Sequence, residues 1–121
     1  MAYDPNNVFA RILRGEIPCK KVYENEFVLA FHDIAPQAPV HVLVIPKGPY
    51  VSMDDFTANA PAEMQAGFLK AVGDVARLLG IAADGYRVLT NCGVNGHQDV
   101  PHLHFHIFGG AKLGRMIGKS S

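Results

Sequence analysis

The 121-residue sequence contains no tryptophan and only two cysteines, Cys19 and Cys92. These stand far apart and form no CxxC pair, so a disulfide framework is not expected and a reducing cytoplasm is the expected compartment. An excess of one charge is also missing: 11 Lys and Arg balance 11 Asp and Glu. A nucleic-acid duplex or an anionic membrane calls for a basic face, so neither is an expected partner. No apolar run approaches the ~20 residues of a membrane span. The opening Met1-Ala2-Tyr3-Asp4-Pro5-Asn6 lacks the basic-then-apolar pattern of a signal peptide. Repeats and low-complexity tracts are absent as well. What remains, 49% hydrophobic and 18% charged residues, suits one folded domain over 1–121. Any phosphate-bearing ligand must then be held by placed dipoles and imidazoles rather than by a field of lysines.

Asn6 or Asn7 can cap a short helix over Val8 to Arg14, with Gly15 as its stop. Lys21 to Glu24 and Phe27 to Asp33 read as two strands joined at Asn25-Glu26. Val40 to Ile45 is a β-branched third strand, with His41, Leu43 and Ile45 on one face. A long helix runs from Pro61 to just before Gly80. Its Met64, Phe68, Ala71, Val72, Val75 and Leu79 form an apolar stripe at spacings of three and four. Tyr86 to Asn91 and His102 to Phe108 complete five strands. The expected class is α+β: a five-stranded antiparallel sheet with one long and one short helix, both on one side.

The last strand carries the chemistry. Side chains alternate along a strand, so His102, His104 and His106 share one face, ~6.8 Å apart. Leu103, Phe105 and Ile107 share the other, facing the long helix. Three readings compete. These could be surface histidines on an edge strand. They could ligate a metal, but ~2.0–2.1 Å bonds draw ligand nitrogens within ~3.4 Å of each other, whereas His102 and His106 start ~13–14 Å apart. Or they could act on a phosphate. If a carbonyl fixes Nδ1–H, Nε2 of a neutral imidazole presents a lone pair to phosphorus, and flanking rings donate to phosphoryl oxygens. The preceding loop, Asn91 to Asp99, contains Gly93, Asn95 and Gly96, residues that let backbone N–H groups surround an anion.

His102 to Phe108 followed by Gly109-Gly110 resembles the signature of the histidine triad (HIT) family. Phe9 to Pro18 is similar to the opening helix and turn of its Hint branch, and Phe31 to Lys47 to its central strands. The likeness covers about residues 7–110, leaving a short tail, 111–121. It implies a purine nucleoside phosphoramidase that hydrolyses the P–N bond of adenosine 5′-phosphoramidates. It also implies a homodimer whose sheets join into one of ten strands, with no cofactor and no metal. The resemblance assigns His104 as the nucleophile that forms a nucleotidyl-histidine, with His102, His106 and His41 in support. Asp33 falls where a carboxylate accepts the ribose hydroxyls. Phe9, Ile12, Phe31, His32 and Ile34 match the base pocket, and Asn91, His97, Gln98 and Asp99 the phosphate loop, holding an AMP-like substrate or product. Two features depart from the pattern. His97 and Asp99 stand where animal members carry glycine and serine, and the tail after Leu113 lacks their tryptophan. Two other functions stay open: a nucleotide-binding regulatory or scaffold module with incidental hydrolysis, and a dinucleoside polyphosphate hydrolase.

Overall fold

In a computed structural model the described residues are 2–117; Met1 and the end of the expected tail, 118–121, lie outside them. Asn7 caps α1 (Val8–Leu13), its Oδ1 accepting the Ala10 N–H at 2.9 Å. The bond satisfies a donor that has no partner inside the helix. Gly15, at φ +78°, then turns the chain away in a conformation that side chains resist.

β1 (Lys21–Glu24) and β2 (Val28–His32) form the first hairpin. Asn-Glu is a weak turn pair, and the Asn25 side chain makes up for it. Its Oδ1 accepts the N–H groups of Phe27 and Val28 at 2.8 and 3.0 Å, so Phe27 belongs to the turn and β2 begins one residue later than expected. β3 (Val40–Pro46) follows, then α2 (Met53–Asn59), α3 (Ala62–Leu78), β4 (Arg87–Leu89) and β5 (Phe105–Gly109). The sheet order is β1-β2-β3-β5-β4 and every neighbouring pair is antiparallel. The expected five-stranded antiparallel sheet is therefore present.

β4 is also shorter than the expected Tyr86 to Asn91, and three larger expectations change. A second short helix, α2, exists beside the long one and α1. Its Ser52 Oγ accepts the Asp55 N–H, and the Asp55 carboxylate accepts the Val51 N–H at 2.7 Å, a reciprocal cap. The final strand starts at Phe105 instead of His102, because the Leu103 N–H leaves the ladder for the Tyr50 carbonyl at 2.8 Å. And the helices do not share one side. Val28, Ala30, Val42, Val44, Leu103 and Ile107 pack with Phe68, Val72 and Val75 of α3. Leu29, Phe31, Leu43 and Ile45 meet Phe9 of α1 in a separate, smaller core on the opposite face. Among the described residues no helix is long and apolar enough to cross a membrane.

Gly67 lets α3 sit against the turn that carries Phe27. A Cβ there would overlap the Phe27 ring. Gly67→Ala should thus destabilise the protein by about 1–3 kcal/mol through overpacking, despite alanine's better helix propensity. Urea unfolding reads this directly; a more stable variant would show that Phe27 yields freely.

Candidate active site

The alternation that buries Leu103 and Ile107 under α3 turns the histidines to the other face. His102 (0% exposed) and His104 (2%) lie beneath Phe9, whose ring meets His104 edge-on with centroids 4.9 Å apart. His106 sits 5.1 Å from His104, ring to ring. His41 arrives from β3, its Nε2 3.0 Å from His106 Nδ1. Thr90 donates its hydroxyl to the His104 carbonyl at 2.7 Å and fixes that backbone.

The partners of each ring decide where its proton sits. His104 Nδ1 lies 2.8 Å from the His102 carbonyl, which can only accept, so Nδ1 carries a proton and the neutral ring has its lone pair on Nε2. His102 Nε2 donates to the Pro46 carbonyl at 3.1 Å, leaving Nδ1 to accept from the Tyr3 hydroxyl at 2.7 Å. The Gln37 backbone N–H donates to His41 Nδ1 at 3.1 Å. That forces the His41 proton onto Nε2, where it is donated to His106 Nδ1, and leaves the His106 proton on Nε2. The result is one imidazole lone pair beside one imidazole donor.

Burial holds three of the rings, His41, His102 and His106, neutral. It pushes the His102 imidazole down to about 4 against the help of the Pro46 carbonyl. His106 also falls to about 4, first through burial and then through its neighbours His104 and His41. Burial lowers His41 too, with Asp33 opposing it. At neutral pH, His41, His102 and His106 therefore bring dipoles rather than positive charge.

The carboxylate of Asp33 is engaged on both sides. Oδ1 accepts the Ala35 N–H at 2.8 Å and Oδ2 lies 3.4 Å from His41 Nε2. Each oxygen retains a lone pair. Asp33 and the exposed His32 line an open cleft of about 750 Å³ together with Cys19, Lys20, Pro36 and His41. Ile34 is 100% exposed at its rim. Phe9 and Phe31 are buried in the smaller core with Ile12 at its edge, and of the three Phe9 packs against the rings of His102 and His104.

The loop after β4 is built by Gln98. Its amide donates to the carbonyls of Val51 and Val100 at 2.6 and 3.0 Å, and its Oε1 accepts the Gly93 N–H at 3.1 Å. The side chain thus braces the loop itself. His97 is exposed at φ +57°, a conformation that side chains other than glycine and asparagine seldom take. Asn91 lies half-buried just beyond β4. Asp99 is exposed and brings Oδ1 to 3.9 Å from His104 Nε2.

Asp33, His41 and His106 hold donor atoms within 4.8 Å of one another, a different set from the three histidines of the motif. The donor chemistry fits a cation poorly. Gln37 occupies the His41 Nδ1 lone pair, so the nitrogen facing a bound ion would carry a proton.

Sequence reasoning missed Tyr3, the Gln37 N–H and Thr90. A backbone donor and a tyrosine 99 positions from its partner leave no local signal.

Residues 14–113 match the HIT domain. A 13.2 kDa HIT-like protein of Azospirillum brasilense is 67% identical over 117 residues, 97% of this chain and 96% of its own length. The purine nucleoside phosphoramidase of Escherichia coli K12 is 39% identical, over 91% of this chain and 92% of its own. A HIT family hydrolase structure from Legionella pneumophila superposes with a TM-score of 0.85 at 38% identity, covering 93% of this chain and 100% of that one. Motif, sheet order and these likenesses agree, and the chain belongs to the HIT domain family.

Proposed function

We propose that this protein hydrolyses the P–N bond of purine nucleoside 5′-phosphoramidates, with His104 as nucleophile. The observation that carries the reading is the 2.8 Å contact from His104 Nδ1 to the His102 carbonyl, which puts the lone pair of the neutral ring on Nε2. Nε2 attacks the α-phosphorus and the P–N bond breaks, its electron pair leaving with the amine nitrogen, which takes a proton from water. Water then cleaves the nucleotidyl-histidine, releasing the nucleoside 5′-monophosphate and restoring the ring. His106 Nε2–H donates to phosphoryl oxygen as charge builds there. Asp33 has lone pairs for the ribose hydroxyls, and the cleft beside it is large enough for a nucleoside. The 39% identity to the Escherichia coli phosphoramidase supports this substrate class.

The test is to incubate the protein with a labelled adenosine phosphoramidate, quench it in the steady state and map the label. A nucleotide on His104 is expected; label on another residue, or none during active turnover, would sink the mechanism. Comparing P–N with P–O–P substrates separates this reading from dinucleoside polyphosphate hydrolysis, and negligible turnover of both would favour a binding module.

We propose further that two copies join through β4. It is an outer strand, and its Val88 and the preceding Tyr86 are exposed, whereas β1 presents Lys21 and Glu24. Light scattering at the mass of a monomer would end that proposal.

A further inference from the structure

We propose that Tyr3 is a positioning residue for the reaction: its hydroxyl holds the His102 ring, and through it the carbonyl that orients His104. The inference rests on the reading of His104 as nucleophile.

His102 lies outside the ladder of β5, so strand pairing does not fix its carbonyl. The main-chain bonds nearby are His102 N–H to the Val100 carbonyl and Leu103 N–H to the Tyr50 carbonyl. Further restraint comes from the ring, held at Nε2 by the Pro46 carbonyl and at Nδ1 by Tyr3. The Tyr3 ring also packs edge-on against it, with centroids 5.6 Å apart.

Tyr3 is delivered by an anchored turn. Asp4 Oδ1 accepts the Asn6 N–H at 2.9 Å, and the Asp4 carbonyl accepts the Asn7 side-chain amide at 2.7 Å. The Arg14 guanidinium donates to the Pro5 carbonyl at 2.8 Å. The cap of α1 therefore folds the preceding residues back onto the histidines. Tyr3 also precedes the matched segment 14–113, so the HIT domain as matched does not account for it.

Without the hydroxyl, His102 Nδ1 becomes a buried acceptor with no partner. The ring then changes tautomer or turns, and either movement weakens its bond to Pro46 and releases the backbone. As phosphorus bonds to His104 Nε2, positive charge grows on the ring and Nδ1–H leans harder on the His102 carbonyl. The restraint thus counts for more in the transition state than in the bound ground state, and its loss falls on kcat.

Tyr3→Phe in the full chain keeps the packed ring and removes only the hydroxyl. The measurements are kcat and KM for an adenosine 5′-phosphoramidate, with long-range ¹H–¹⁵N spectra of the histidines. We expect kcat to fall roughly three- to tenfold, the scale of one hydrogen bond, and KM to stay within about twofold. His102 should show a single Nε2–H form in the unaltered protein and depart from it in the variant. Unchanged kcat overturns the proposal, as does a loss confined to KM. If the unaltered protein does not hydrolyse the substrate, the proposed function fails and the spectra alone decide. Altered His102 signals then support the role of Tyr3, and unaltered ones overturn it.

Discussion

Replacing His104 by asparagine should lower phosphoramidate turnover by about 10⁴-fold or more, because no other lone pair replaces the attacking one. Asparagine is the informative choice. Its side-chain amide can still donate to the His102 carbonyl, as His104 Nδ1–H does at 2.8 Å, so the packing under Phe9 is disturbed least. Affinity for the nucleoside monophosphate should stay within severalfold, since Asp33 and the cleft beside it are untouched. Turnover and equilibrium binding together decide the matter. A variant with a tenth of the original activity would mean that some other group attacks phosphorus.

Acidification below pH 6.5 should destabilise the fold through its buried histidines. His102 and His106 drop from an ordinary 6.5 to about 4 in the native protein, mainly because burial opposes their charged forms. Above pH 6.5 neither the native nor the unfolded chain binds these protons, and their contribution to stability is complete. Between 6.5 and 4 the unfolded chain takes up protons that the native protein refuses, so stability falls as pH falls. One pKa unit corresponds to about 1.4 kcal/mol, which makes the loss for fully buried His102 on the order of 3 kcal/mol. His106 adds a smaller share because part of its ring reaches solvent. The exposed Glu24, held down to about 2 by Lys47 and Lys21, acts only at lower pH. Urea unfolding from pH 7.5 to 4.5 tests this. A flat profile, or stability that rises on acidification, would contradict the burial of the two rings.

Most of the sheet was legible because its strands are short, β-branched and bounded by breakers. The α3 stripe was legible too, and Phe68, Ala71, Val72 and Val75 are all buried. α2 escaped although its signal was present: Ser52-Met53-Asp54-Asp55 is a capping pattern, but only Phe56 follows it into the core, too little for a periodicity. The strand limits failed at His102 for a different reason. Pairing stops where a partner backbone turns away, and the turn at Tyr50 belongs to a segment 52 positions earlier. Gln98 could be placed in its loop by resemblance, but its commitment to Val51 depends on where that distant carbonyl lies.

Alternation along one short stretch was enough, by itself, to determine that three imidazoles share a face and that their neighbours enter the core. That is local geometry, with a period of two and no reference to the rest of the chain. Only the tertiary structure decided which nitrogen of each ring carries the proton. The assignments for His102, His41 and His106 come from Pro46, Tyr3 and Gln37, which reach the rings from three separate parts of the fold. That for His104 comes from the carbonyl of His102 as the folded backbone aims it. A tautomer is a property of what surrounds a ring, so it appears only once the chain has closed around it.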